Sequence, residues 1–267
     1  MYKYILVLFF AMPVSAYAQE LFTYSEPASN MPVKSFAVRS NNYLMRTTGT
    51  NNYTYSIAPE IMAGLTKKLM LHAEAFFGNN PDDFKFDGAS AYAKYRFYTE
   101  DDVHSHFRLA AYAKLASSNN PVTQEVIDAG SRNSVIEGGI VATKLNNRLA
   151  LSAGSSLIRS LDNGFRDHLN AGRNAVNFNL AAGRLLLPVT YKDYGQVNVN
   201  AMFEVLGQTN LSSGKSFIDF APSIQFILMS KIRLDAGYRF AVVNTARRYA
   251  ENAFLLRIEY NFFSVFK

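Results

Sequence analysis

Charged side chains recur at alternate positions within apolar stretches of this sequence, and an extended chain would gather them on one face. The two signs are nearly balanced, so the chemistry these residues offer is ion pairing in a confined space or attraction of charged solutes. The acidic members are Glu60, Glu74, Glu137, Glu204, Asp219, Asp235 and Glu259. The basic members are Arg39, Lys94, Arg96, Arg108, Lys114, Arg233, Arg239 and Arg257.

Histidine and cysteine offer little further chemistry. The chain has no cysteine, which excludes disulfides, thiolate zinc sites and a cysteine nucleophile. His104 and His106, which follow Asp101 and Asp102, could hold a transition metal, but a solvated turn is the favoured interpretation. No serine pairs convincingly with a histidine, so we expect no catalytic site. We also expect no metal, and the sequence implies no cofactor. The unmatched residues are His72, His168 and Ser155.

The elements that position these charges are β-strands. In residues 254–262, aromatic and aliphatic side chains alternate with polar ones, and Arg257 and Glu259 lie on the polar face. The same period of two recurs along the chain and predicts about twelve strands of 10–13 residues each, an all-β class. The stretch 34–47 is the least regular, and we expect a bulge near Asn41 and Asn42.

The predicted connections alternate between short turns and long polar loops. Tight turns are expected at residues 66–68, 146–147 and 230–231, and long loops at 79–85, 117–133, 162–174, 207–215 and 244–252. Two connections on the short side, 99–106 and 188–196, are longer than this pattern requires. Antiparallel strands with this layout form a meander, which can close into a barrel.

The N-terminus has the pattern of an export signal. A short cationic start is followed by the apolar run 4–12 and by Ala16-Tyr17-Ala18, a small-residue cleavage site. We therefore expect a cleaved signal at 1–18, a lead-in segment at 19–33 and a barrel at 34–267. Turn-forming residues in 19–33 favour a loose lead-in, and a short plug or partner-binding peptide is the alternative.

The net charge and the composition of the apolar strand face further restrict the class of protein. The net charge of +6 is dispersed, so no nucleic-acid partner is expected. An exported soluble β-domain would turn its apolar face inward. The many alanines on that face and the aromatic residues at strand ends favour the opposite arrangement, in which the apolar face contacts lipid and the charged face lines a lumen.

With its signal peptide, strand alternation and aromatic last strand at 253–266, the chain resembles the Gram-negative outer-membrane β-barrel proteins. Lys267 departs from the pattern, because such chains end on the aromatic residue. The resemblance implies a twelve-stranded antiparallel transmembrane β-barrel in the outer membrane, with both termini periplasmic. It also implies contact with outer-membrane lipid and lipopolysaccharide, and insertion by the outer-membrane assembly machinery.

The charges then suggest a function. Pairs are expected between Glu74 and Lys94 or Arg96, and between Asp235 and Arg257. The favoured hypothesis is a passive channel for small polar solutes, with an anion preference from the basic ladder Arg96, Arg108, Arg233, Arg239 and Arg257.

Two other functions stay open. One is a non-conducting anchor or accessory subunit that docks a partner through residues 19–33 or 99–106. The other is uptake of hydrophobic compounds through a lateral opening at Pro59 or Pro222, because proline cannot donate to the strand ladder.

Overall fold

The computed structural model describes residues 22–79, 83–161, 171–190 and 195–265. The export signal, Gln19, His168 and the last two residues lie outside the described ranges. Within those ranges, no helix is long and apolar enough to span a membrane.

Twelve antiparallel strands close into a barrel in which each strand pairs with its sequence neighbours and β1 pairs with β12. The all-β prediction is therefore confirmed, with twelve strands. They are β1 (Ser35–Thr47), β2 (Tyr53–Gly64), β3 (Leu69–Asn79), β4 (Phe84–Asp101), β5 (Ser105–Ser118), β6 (Val135–Asn146), β7 (Leu149–Ser160), β8 (Asn174–Leu187), β9 (Asn198–Asn210), β10 (Ser216–Leu228), β11 (Ile232–Asn244) and β12 (Ala250–Phe262).

The exposure of alternate residues shows which face of each strand points into the barrel. In β12, Phe254 and Ile258 are 44% and 48% exposed, whereas Arg257 and Glu259 are 7% and 3% exposed. The same inversion holds on the opposite wall, where Leu157 is exposed and Ser156 is buried. The barrel therefore has an apolar outer surface and a polar lumen, the arrangement expected of a barrel in lipid.

Aromatic rings lie near both rims of the apolar surface. At the end with the short turns, Phe36 stacks on Phe262 at 4.3 Å between ring centroids. At the end with the long loops, Tyr55 stacks on Phe84 at 6.4 Å. Rings at both rims match the interfacial girdles of membrane barrels.

Two local predictions about the strands are wrong. The ladder of β1 is regular through Asn41 and Asn42, and its shift lies at Arg46 and Thr47 instead. The expected long connection at 99–106 is mostly paired strand, because Asp101 faces His106 across the β4–β5 ladder. Strand β4 is 18 residues long and contains two bulges, one opposite Phe76/Phe77 and one between Arg96 and Tyr98.

Two segments outside the strands pack into the lumen. The first, the N-terminal segment, comprises residues 22–34 before β1. The second, the inward loop, comprises residues 119–134 between β5 and β6. In the N-terminal segment Phe22 and Ala28 are 1% and 0% exposed, and in the inward loop Ile127 is 2% exposed. Both segments bury side chains that a surface loop would leave in solvent.

Candidate functional site: the occupied lumen

An ion network spans the seam where β1 joins β2 and β12. Arg39 is directly opposite Glu60 in β2 and Glu259 in β12. Its guanidinium lies 3.3 Å from the Glu60 carboxylate and 3.0 Å from that of Glu259. The Nδ1 atom of His72 lies 2.6 Å from Glu60. Each buried carboxylate thus has a cationic or hydrogen-bonding partner, as buried charges require.

A second network lies on β11 and β12. Arg233 donates through Nε to both carboxylate oxygens of Asp235, at 3.0 and 2.9 Å. Arg257 is opposite Asp235 in the ladder and lies 3.6 Å from it. The predicted pairing of Asp235 with Arg257 is confirmed.

The predicted pairing of Glu74 with Lys94 or Arg96 is wrong. Glu74 faces Ser90 across the ladder and lies 3.4 Å from Lys114, one strand further round the barrel. Lys94 instead binds Glu26 of the N-terminal segment at 3.1 Å. Sequence alternation gives the face of each residue but not the tilt of the strands, which decides which charges meet.

The five arginines of the expected basic ladder fall into two groups on opposite sides of β1–β3. Arg96 and Arg108 lie on β4 and β5 near the short turns, where Arg96 donates to the Lys67 carbonyl oxygen and Arg108 to Asp101. The other three lie on β11 and β12, where Arg239 contacts Asp219 at 2.5 Å. Among the described residues, all of them except Arg96 have a carboxylate within salt-bridge distance.

Glu137 and Asp219 are two further members of the predicted set. Glu137 accepts hydrogen bonds from Tyr112, Ser156 and Asn177, all on the wall. Asp219 accepts from both terminal nitrogens of Arg248 at 2.6 Å.

The N-terminal segment is fixed in the lumen by one carboxylate above all. Glu204 on β9 is fully buried and accepts the backbone N–H groups of Thr23, Tyr24 and Ser25 at 2.7–2.9 Å. The Ser25 hydroxyl donates to the same carboxylate at 2.6 Å. Four donors on one anion form a strong clamp, because hydrogen bonds to charged groups are about twice as strong as neutral ones.

Other wall residues bind the segment along its length. Arg233 donates to the Phe22 carbonyl oxygen at 2.6 Å, and the Thr143 hydroxyl accepts the Ala28 N–H at 2.8 Å. Arg108 donates to the Ser29 hydroxyl at 3.0 Å. The described part of residues 19–33 is therefore packed against the lumen wall.

The inward loop is fixed by Gln208 on β9, by Lys215 in the β9–β10 loop and by the backbone of Arg247 in the β11–β12 loop. The Gln208 amide accepts the Ile127 N–H at 2.8 Å and donates to the Ile127 carbonyl oxygen at 2.7 Å. Glu125 accepts from the Arg247 N–H at 2.8 Å and from Lys215 at 2.6 Å. Although burial raises the pKa of Glu125, these two partners outweigh it and hold the pKa below its usual value. The carboxylate is therefore charged at neutral pH.

A cavity of about 440 Å³ lies between the two inward segments. The N-terminal segment contributes Tyr24 and Glu26 to its lining, and the inward loop contributes Gln124, Asp128 and Arg132. Wall residues of both charges and several tyrosines complete the lining, among them Arg39, Glu60, Glu74, Tyr92, Tyr112, Lys114, Glu137, Arg239 and Arg257. A polar chamber of this size accommodates a small hydrated solute.

The histidine pair lies at the β4–β5 turn. His106 lies 2.8 Å from Asp101, an exposed carboxylate that also binds Arg108. The described ranges contain no group of three or more His, Cys, Asp or Glu side chains arranged to hold a metal ion.

Sequence reasoning missed the residues that close the lumen. Glu26 lies in a segment without periodicity, and Gln124, Arg132 and Arg248 lie in or beside loops. Alternation assigns no face to residues outside strands. One available signal was the unusual content of aliphatic residues in the loop, Val122, Val126 and Ile127, which are all buried.

Comparison with known proteins identifies the fold. No protein-family model matches the sequence, and no curated protein matches it either. Solved structures do match. The COG4313 outer membrane channel from Pseudomonas putida F1 superposes with a TM-score of 0.59 at 11% identity, over 88% of this chain and 98% of that one. The barrel has the fold of outer-membrane channels.

Two porins show the same likeness. The KdgM porin has a TM-score of 0.57 at 9% identity, over 85% of this chain and 99% of that one. The NanC porin has a TM-score of 0.52 at 11% identity, over 84% and 98%. A second structure of the KdgM porin is in complex with disordered oligogalacturonate. At these identities the likeness concerns the architecture of the barrel.

Proposed function

We propose that the protein is a passive outer-membrane channel for small polar solutes, closed by its own N-terminal segment. The observation that carries the proposal is the charged cavity of about 440 Å³ inside a barrel whose outer face is apolar. A polar, hydrated interior is typical of conducting barrels. The channels and porins that share the fold support the same conclusion.

The location follows from the same features. In the proposal, residues 1–18 direct export and are removed, and the outer-membrane assembly machinery inserts the barrel. The apolar surface then contacts outer-membrane lipid and, through the long-loop side, lipopolysaccharide. Both termini are periplasmic, because short turns face the periplasm in such barrels. The N-terminal segment therefore enters the lumen from the periplasmic side.

The N-terminal segment is suited to act as a removable plug. Among the described residues it contributes no strand to the ladder. Except at Lys34, whose backbone bonds to Gly64 and Val265 next to β1, its described bonds to the wall involve wall side chains. Its withdrawal would leave all twelve strands paired. The remaining lumen would be lined by the charged residues predicted from the sequence. Their role as pore-lining residues stays a prediction.

A disulfide between plug and wall tests this function. The hydroxyls of Thr23 and Ser223 are 2.9 Å apart, and the native chain has no cysteine to interfere. In a planar bilayer under a salt gradient, the reduced double variant Thr23→Cys/Ser223→Cys is expected to show discrete conductance steps. Oxidation is expected to abolish them, and reduction to restore them.

The single variant Thr23→Cys is the control, and its conductance is expected to be insensitive to oxidation. Conductance that persists in the oxidised double variant, with the disulfide verified by mass, would contradict the plug. Sustained silence of every folded variant, whether reduced or oxidised, would overturn the channel and leave the non-conducting anchor.

A second candidate, uptake of hydrophobic compounds by a lateral route, is favoured by one specific observation. The β2–β3 ladder is unpaired at Ala58 and Pro59, and the β10–β11 ladder is unpaired at Ala221 and Pro222. Both prolines are exposed on the outer face. If a lateral opening forms there, amides of Ala75 and Tyr238, opposite the prolines, are expected to exchange hydrogen at least tenfold faster than their strand neighbours. Uniform protection along β3 and β11 would eliminate this route.

A further inference from the structure

Lys94 is a fully buried lysine whose partners come from the N-terminal segment. Its Nζ donates to the Pro27 carbonyl oxygen at 2.7 Å and to the Glu26 carboxylate at 3.1 Å. Its ladder neighbours on β3 and β5 are Met70 and Tyr112. In the described part of the chain, no wall carboxylate lies within salt-bridge distance of this ammonium group.

Glu26 lies at the boundary between plug and cavity. Its carboxylate lies 3.1 Å from Lys94 and 3.5 Å from Arg39, and its side chain is 27% exposed. It is also part of the cavity lining. The anion is thus held by two wall cations and remains accessible from the chamber.

The cavity wall beside Glu26 has two further features of a ligand site. The rings of Tyr92 and Tyr112 pack at 5.4 Å between centroids, and that of His72 lies 4.8 Å from Tyr92. The Tyr92 hydroxyl and the His72 Nε2 atom are buried without a hydrogen-bond partner among the described residues. Buried polar atoms of this kind are uncommon in native proteins unless water or a ligand binds them.

Withdrawal of the plug would leave Lys94 buried without a counter-charge. When residues 22–34 leave, Lys94 loses both of its partners, and a buried ammonium group without a counter-charge is costly. A carboxylate from the solute can take the place of Glu26 and remove that cost. Because the solute binds the barrel only when the plug is out, it lowers the free energy of the unplugged state and raises its population.

We propose that Lys94 and Arg39 form a carboxylate-binding subsite that Glu26 occupies while the plug is in place. The ligand class is a small hydroxylated carboxylate, whose charge pairs with the two cations and whose hydroxyls reach Tyr92 and His72. Glu26 acts as an internal competitor that the solute displaces. This inference rests on the proposed channel function and names the substrate class of the same lumen.

Gluconate and sorbitol test the subsite, because they differ mainly by one carboxylate. Millimolar gluconate is expected to raise the open probability of the wild-type barrel at least tenfold in a planar bilayer, and sorbitol is expected to leave it unchanged. Lys94→Met is expected to lose the gluconate response. Lys85→Met, an exposed lysine on the same strand, is the matched control and is expected to respond like wild type.

Glu26→Gln provides an independent arm that keeps the plug and the lysine. It is expected to raise the basal open probability, because the internal competitor is weakened. It is also expected to bind gluconate at least threefold more tightly than wild type in calorimetry of the detergent-solubilised barrel. A gluconate response equal in Lys94→Met and wild type, or equal effects of gluconate and sorbitol, would overturn the subsite while leaving the channel intact. Silence of all folded variants would instead reject the channel.

Discussion

Replacing Glu204 by alanine is expected to raise the open probability of the barrel in a planar bilayer by about a hundredfold. The variant removes the carboxylate that accepts three backbone N–H groups and the Ser25 hydroxyl of the N-terminal segment. Hydrogen bonds to a charged group contribute about 1.5–3 kcal/mol, and every 1.4 kcal/mol is about tenfold in an equilibrium. Losing the clamp therefore shifts the plug equilibrium by two or more decades.

Glu137→Ala is the matched control for this prediction. It also removes one buried lumenal carboxylate, but the partners of Glu137 are wall residues such as Tyr112 and Ser156. Its open probability is expected to change less than tenfold. Far-UV circular dichroism would verify that both variants keep their strands. An effect of Glu137→Ala as large as that of Glu204→Ala would mean that lumenal charge, and not plug docking, controls the current.

The sequence was sufficient to predict the strands and their faces. Leu256 and Ile258 are exposed and Arg257 and Glu259 are buried, as the alternation in β12 requires. This works because each strand has a strict period of two and the two faces meet very different surroundings. Strand ends were less accurate, because bulges such as those in β4 shift the register without a compositional signal.

The contents of the lumen could not be predicted in the same way. Residues 22–34 and 119–134 have no periodicity, so nothing in the sequence indicates that Glu26 faces Lys94 or that Ile127 meets Gln208. These contacts join positions 68 and 81 residues apart and depend on the diameter and tilt of the closed barrel. Composition alone favoured a loose lead-in for the segment that the structure places inside.

The pairing of charges shows the same limit. Arg39, Glu60 and Glu259 were all assigned to the lumen, but their contact requires β1 to pair with β12 in one register. The contact between Asp235 and Arg257 was easier to predict, because β11 and β12 are consecutive in the chain and pair with each other. Alternation of apolar and polar residues does not predict how the first and last strands pair when the barrel closes.

That closure makes Arg39 the side chain whose loss is expected to cost the most stability. Arg39→Met would leave the carboxylates of Glu26, Glu60 and Glu259 without their shared cation at the β1–β12 seam. Removing one partner of a buried ion pair costs about 3–5 kcal/mol. Urea unfolding in detergent micelles, followed by far-UV circular dichroism, is expected to show a midpoint lowered by about 1 M or more.

Two further variants separate the seam network from a general effect of charge. Arg46→Met, on the same strand but exposed and bonded only to Asn51 in the described contacts, is expected to change stability by less than about 0.5 kcal/mol. Arg39→Lys keeps the positive charge but loses the planar fork that reaches two strands at once, so it is expected to recover only part of the loss. Full recovery by lysine would show that charge alone is sufficient. A wild-type midpoint for Arg39→Met would mean that hydration of the lumen already compensates the three carboxylates, and that the barrel closes through its backbone ladder without this network.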